Sequence, residues 1–267
     1  MRWLKNWRRR RVLARHRIDD ALWHAVIASL PFLRGLAPGE LQRLRELALL
    51  FLVEKQFTGA HGFALNDAMR LSIAVQACLP VLELGLDRYG DWSEVVVHPG
   101  DFRVNVSETD DHGVVHEFHD ERAGESWPGG PVVLSWDAAV HAPDMNVVIH
   151  EFAHKLDMAN GEADGNPPLH SGMDRGAWAR VFRTAYEGFC DAVERDRETW
   201  LDPYAAEAPA EFFAVISEAF FEAPNETRRR YPDVYEQLKL FYRQDPALRL
   251  RSCSRSSPAC RESGRRR

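Results

Sequence analysis

The sequence predicts an α+β fold in which helices surround a small mixed sheet and one buried helix carries a metal-ligand motif. Three observations predict it. His150-Glu151-Phe152-Ala153-His154 is an HExxH pentapeptide inside an apolar, helix-compatible run from Met145 to Met158. Short Val-rich segments between 94 and 136 alternate with Pro-Gly and Asp-Asp-His-Gly turns, which reads as strands. A later run from Pro209 to Phe221 is too apolar for a surface helix, yet it contains Glu211 and Glu218.

The ends differ in charge from the body. Residues 1–17 hold eight Lys and Arg and no acid, and residues 249–267 hold seven Arg against Glu262. Residues 18–248 carry nineteen basic and thirty-nine acidic residues, a net of −20. The chain therefore divides into a basic N-terminal segment (1–17), a single domain (18–248) with a helical first part to about 85, and an Arg/Ser-rich tail (249–267). Charge blocks of this kind read as solvated or disordered tails that an anionic surface could touch. An acidic body does not read as a nucleic-acid-binding domain.

Apolar spacing predicts helices over 18–30 and 38–51, with a break at Pro31. Asn66 or Asp67 caps another that runs to Leu79. Strands follow at 94–98, 102–106, 114–118 and 130–136. Pro143 and Asp144 mark the start of the motif helix. A Gly/Asn/Pro/Asp loop spans 160–168, and helices follow near 174–195, 209–222 and 231–243. No run of 18 apolar residues occurs, so no transmembrane helix is expected. His16, Arg17, Asp19 and Asp20 interrupt the basic start, which argues against a secretory signal. Cys78, Cys190, Cys253 and Cys260 form no CxxC pair and read as free thiols in a reducing compartment, the cytoplasm.

The motif specifies chemistry. Residues i and i+4 of a helix share a face, so His150 and His154 can present two imidazole nitrogens to one metal ion. Glu151 is placed to act as general base on the water that zinc activates. A catalytic zinc takes a third protein ligand. Glu211 and Glu218 are seven apart on one helix face, so one can bind metal and the other can orient a histidine, and position alone does not choose between them. Asp157, one turn beyond His154, is a rival for the third ligand, but a side chain there points along the axis, so it reads as a support behind the ligands or a partner of the following loop. Tyr204 reads as a packed tyrosine or an oxyanion stabiliser. Val132, Val133 and Leu134 form the last strand before the motif helix and are the candidate substrate strand, if that strand is an exposed edge; the alternative is an ordinary sheet strand. His112, His116 and His119 read as solvated polar residues.

These motifs carry a resemblance. His150-Glu151-Phe152-Ala153-His154-Lys155-Leu156-Asp157, Ala163-Asp164-Gly165 with Pro167-Pro168, Gly130-Pro131-Val132-Val133-Leu134-Ser135-Trp136, and Ala210-Glu211-Phe212-Phe213-Ala214-Val215 with Ser217-Glu218 occur in the order seen in the Mlc titration factor A family of bacterial zinc peptidases. The resemblance runs from Asp87 to Phe241. Around the metal it is similar to the catalytic domain of anthrax lethal factor, where the glutamate opening Glu-Phe-Phe-Ala is the third zinc ligand and a catalytic tyrosine lies seven residues before it. The resemblance implies a zincin-like fold with one Zn2+, Glu211 as ligand, Glu218 in a supporting role behind the ligands, and Tyr204 as oxyanion stabiliser. It also implies a cytoplasmic aminopeptidase-type activity on peptides and binding of an Mlc-like transcriptional repressor. The competing expectation is a repressor-sequestering protein whose zinc is structural.

Overall fold

The computed structural model describes residues 2–90, 92–109, 115–141 and 145–250, and for Arg2, residues 103–109 and 115–122, and His141 it describes the backbone alone. The mixed α+β expectation holds. The N-terminal half begins with α1 (Arg2–Arg15), α2 (Asp20–Ser29) and α3 (Pro38–Glu54). Asp19 caps α2 by accepting from the Leu22 amide, and Pro38 opens α3 at the position where its missing N–H costs nothing. α4 (Asp67–Cys78) starts on Asn66, whose side chain accepts from the Met69 amide. α3 and α4 pack together, with α1 on α3 and α2 on α4.

Residues 2–15 are thus a helix, where the sequence suggests a solvated tail. Arg9 and Lys5 find acidic partners on the body, and Val12 and Leu13 find apolar ones. The expected disordered tail (249–267) is described only at Arg249 and Leu250, where Arg249 is held by Glu40 and Gln244 because its guanidinium reaches acceptors on the body. The remainder lies outside the described residues, as do Cys253, Cys260, His112, Pro143 and Asp144, and the side chains of His116 and His119. Cys78 and Cys190 are free thiols.

The sheet is β1 (Gln56–Gly59), β2 (Glu94–His98), β6 (Val132–Ser135) and β5 (Gly124–Ser126), in that spatial order. β1 and β6 both run parallel to β2, and β5 is antiparallel to β6. β3 (Phe102–Thr109) and β4 (Val115–Arg122) form a separate antiparallel pair. β1 and β5 escape sequence reading because each is very short and lacks a run of β-branched residues.

One expectation needs correction. Val132, Val133 and Leu134 are not an exposed edge. β6 has β2 on one side and β5 on the other, and Val132 and Leu134 are fully buried. The edge strand on that side is β5, which sequence reading did not pick out.

After the sheet come α5 (Trp136–His141), α6 (Val147–Asp157), α7 (Arg175–Glu194), α8 (Pro209–Glu222), α9 (Pro224–Arg230) and α10 (Pro232–Tyr242). α6 lies against α8, α4, β5 and β6. Its burial is complete along its length, from Val147 to Asp157. Phe152 sits about 200° around the helix from His150. It enters a ring cluster, 5.1 Å from Tyr89, 5.6 Å from Phe51 and 5.7 Å from Trp92, centroid to centroid. That anchorage turns His150 and His154 toward α8. On α8, Phe212 and Phe213 pack on Phe182 of α7, and Phe220 packs on Tyr235 and Tyr242 of α10. The two aromatic clusters clamp the helices together and leave polar side chains in the seam between them. Among the described residues no helix is long and apolar enough to cross a membrane.

Candidate metal centre

α6 begins on Asn146. Its side-chain oxygen accepts from the Ile149 amide at 2.9 Å. Its amide group donates to Gln76 at 2.9 Å and to Glu222 at 2.8 Å. Its backbone N–H donates to Glu218 Oε2 at 2.6 Å. One residue therefore caps the motif helix and ties its first turn to α4 and α8. Sequence reading placed the helix start at Pro143 and Asp144 and missed this role. The signal was present, as an asparagine just before an apolar run is a capping signature.

On the seam, His150 Nε2, His154 Nε2 and Glu211 Oε2 converge. The separations are 3.1 Å between the imidazoles, and 3.0 and 3.2 Å from each to the carboxylate oxygen. Both histidines are buried and Glu211 is partly so. Four-coordinate zinc with bonds of about 2.0–2.1 Å sets neighbouring ligand atoms about 3.3 Å apart. The triangle of two nitrogens and one carboxylate oxygen matches one face of that tetrahedron, so the residues present fit a divalent ion.

Glu218 approaches the other side of His150. His150 Nδ1 donates to Glu218 Oε1 at 2.7 Å. The imidazole is thus strung between Glu211 and Glu218, two turns apart on one stripe of α8. The structure separates the two carboxylates that spacing could not: Glu211 faces both histidines, and Glu218 faces only the outer nitrogen of one. Burial alone would pull the His150 imidazole down, but hydrogen bonds to Glu211 and Glu218 and the nearby negative charges raise it well above the ordinary value. Burial opposes ionisation of Glu211 too, yet hydrogen bonds from both imidazoles hold its carboxyl far below the usual range. Glu218 goes the other way, because its burial outweighs its bonds to His150 and Asn146.

Glu151 lies about 100° from His150 on α6 and faces β5. Its carboxyl is raised by burial, and its buried Oε2 has no hydrogen-bond partner among the described residues. Gly124 of β5 leaves the room it occupies. A Cβ at 124 would overlap Oε1 of Glu151 and come within 2.7 Å of its Cγ. Ser126 of the same strand donates its hydroxyl to the Glu151 carbonyl at 3.0 Å. Neither residue was legible as part of the site.

Asp157 is fully buried and does not join the three converging atoms. Its Oδ2 accepts from the Gly165 amide at 2.7 Å, which pins the 160–168 loop to the end of α6. Gly165 has φ +77°, and a Cβ there would meet the Pro209 carbonyl oxygen at 2.6 Å, so the loop passes directly against the start of α8. Lys155, also buried, donates to the carbonyls of Trp127 and Gly130 and fixes the turn before β6.

Tyr204 sits on a short 3-10 turn, Pro203–Ala206, between α7 and α8. Asp202 accepts from its amide, and Tyr186 of α7 donates to the Ala206 carbonyl, so the turn is fixed at both ends. The Tyr204 ring is 6.1 Å from that of His150, and 42% of the residue is exposed. It therefore lies where the buried cluster meets solvent.

Residues 4–243 match the family described as glucose-regulated metallo-peptidase M90. That span reaches further toward the N-terminus than the motif resemblance did. The Mlc titration factor A of Cronobacter sakazakii is 38% identical over 247 residues, covering 91% of this chain and 92% of that protein. The Mlc titration factor A of Pectobacterium atrosepticum is 41% identical over 239 residues, with 86% and 88% covered. An uncharacterised protein of Synechocystis is 37% identical over 253 residues, with 92% and 91% covered.

Proposed function

The chain belongs to the glucose-regulated metallo-peptidase M90 family, and we propose that within it the chain is a zinc-dependent peptidase of zincin-like fold. The observation that carries this reading is the convergence of His150 Nε2, His154 Nε2 and Glu211 Oε2 beside a buried Glu151 oxygen that has no partner among the described residues. Residues 18–248 form the catalytic domain, with α1 of the basic segment packed on α3.

His150, His154 and Glu211 would hold the ion. When bound, zinc supplies Lewis acidity, which polarises a carbonyl and lowers the pKa of water to about 7. Glu151 takes the proton of the attacking water on its carboxylate and returns it to the leaving amine. Burial raises its carboxyl above the ordinary value, which strengthens it as a proton acceptor. Tyr204 donates its hydroxyl to the oxyanion. Glu218 holds the His150 ring in the tautomer that leaves Nε2 free for the ion. Asp157 supports from behind by fixing the loop, and it does not ligate. The place for an extended peptide is the outer edge of β5, which among the described residues has no strand beside it and which adjoins Glu151.

Aminopeptidase-type action is the finer form of this reading. The free thiols at Cys78 and Cys190 support a cytoplasmic location. The relatives' name, Mlc titration factor A, supports a second role in binding an Mlc-like repressor. The competing reading keeps only that role and makes the zinc structural. It has no use for Glu151 or Tyr204.

The deciding experiment measures metal content together with hydrolysis of a panel of aminoacyl and peptide fluorogenic substrates, for wild type and Glu151→Gln. We expect about one zinc per chain in both, and a loss of about 10²- to 10⁴-fold in turnover in the variant. Full activity in Glu151→Gln would overturn the mechanism. Zinc in both with turnover in neither would favour the binding role.

A further inference from the structure

The N-terminal helix carries a surface that peptide hydrolysis does not use. One side of α1 is fixed to the body. Arg9 donates to Glu54 at 3.0 Å and to Asp87 at 2.9 Å, Lys5 pairs with Asp87 at 2.7 Å, and Val12 and Leu13 pack on the core. At about 100° per residue these four share one face of the helix. The opposite face presents Trp3, Leu4, Trp7, Arg11 and Arg15, all exposed, with Arg8 and Arg10 on its flanks. Trp3 is 74% exposed, Leu4 53% and Trp7 46%. Scattered exposed apolar residues are ordinary on a protein surface, but three large ones side by side are not. Other exposed apolar side chains, such as Trp127, Val140 and Leu240, lie on separate elements.

We propose that this outer face of α1 docks the protein onto a membrane surface rich in anionic phospholipid. Charge complementarity names the occupant. Residues 1–17 carry eight basic groups and no acid, while residues 18–248 carry a net of −20. An anionic surface attracts this end and repels the remainder, so it both binds and orients the molecule. The apolar residues select lipid among anionic surfaces. A bilayer interface buries tryptophan and leucine and leaves arginine among the headgroups. Duplex nucleic acid would satisfy the charges and offer the indoles no apolar contact. The Arg11 guanidinium lies 4.6 Å from the Trp7 ring centroid, which keeps the charge at the level where an indole sits in an interface.

The test is co-sedimentation of the full chain with vesicles of phosphatidylcholine alone or mixed equally with phosphatidylglycerol. Wild type is compared with Trp3→Ala/Trp7→Ala and Arg11→Gln/Arg15→Gln, none of which touches the Lys5 and Arg9 pairs. Thermal melting shows that each variant is folded. The expected result is binding to the mixed vesicles only. The arginine variant should lose about 30-fold in partitioning, at roughly fivefold for each charge near the surface. The tryptophan variant should lose at least as much, and raised salt should weaken wild type. Three results would overturn the proposal: no binding to the mixed vesicles, binding unchanged in the tryptophan variant, or displacement from the vesicles by a single-stranded oligonucleotide, which would make the tryptophans a base-stacking platform.

Discussion

The Nδ1 of His150 donates to Glu218 Oε1 at 2.7 Å, and the same carboxylate accepts the Asn146 backbone N–H at 2.6 Å through its other oxygen. One glutamate thereby couples the orientation of a candidate ligand to the first turn of the helix that carries it. Glu218→Gln should keep the fold and weaken zinc binding about 10- to 100-fold, since a carboxylate behind a ligating imidazole is worth that much. Competition with a chelator of known affinity measures it. Unchanged affinity would remove Glu218 from the site.

Gly124 and Glu151 make a second pair. The Cβ of an alanine at 124 would press on Oε1 and Cγ of Glu151 and come within 2.7 Å of Cγ2 of the buried Val147. Gly124→Ala should therefore lower the melting temperature somewhat and keep the metal. Turnover should fall by as much as about 100-fold, because a general base moved by about an ångström loses that much. Metal content, melting temperature and turnover, measured together, separate this from a folding defect.

Tyr204→Phe removes one hydroxyl at the rim of the cluster. The expected change is a fall of about 10²-fold in kcat with KM and zinc content held, as for loss of one oxyanion donor. A change in KM alone would mean that Tyr204 contacts the substrate away from the reacting carbonyl.

Asp157 predicts a pH dependence of stability. Burial pushes its carboxyl up to about 6, from an ordinary value near 3.8. The folded chain then holds a proton that the unfolded chain has released between about pH 4 and pH 6. Folding stability contributed by this group falls as pH rises through that window and is level above it. The full effect is on the order of 3 kcal/mol. Asp157→Asn has no such proton and should lose the slope. Urea midpoints of chelated wild type and variant at pH 4.5, 5.5 and 7 would check this. Parallel curves would show that the carboxyl titrates normally.

The helices around the site were legible in sequence because each buries a periodic apolar stripe. Ile149, Phe152, Ala153 and Leu156 mark α6, and the Phe-rich run from Phe212 to Phe221 marks α8. The pentapeptide named the candidate ligands His150 and His154 directly, as a spacing of four is fixed by helix geometry alone. What spacing could not do was rank Glu211 against Glu218, which occupy the same stripe.

Tertiary structure decided the remainder. α6 and α8 meet in one relative placement, set by the aromatic clusters of Phe51, Tyr89 and Trp92 on one side and Phe182, Tyr235 and Tyr242 on the other. That placement puts Glu211 at both imidazoles and Glu218 behind one. Strand order was equally unreadable. β5 is too short to show a period, so β6 could be taken for the edge until β5 was seen beside it. Local sequence fixes what one helix presents, because its geometry repeats along the chain. Which residues from distant segments face it depends on long-range packing, and no single segment encodes that.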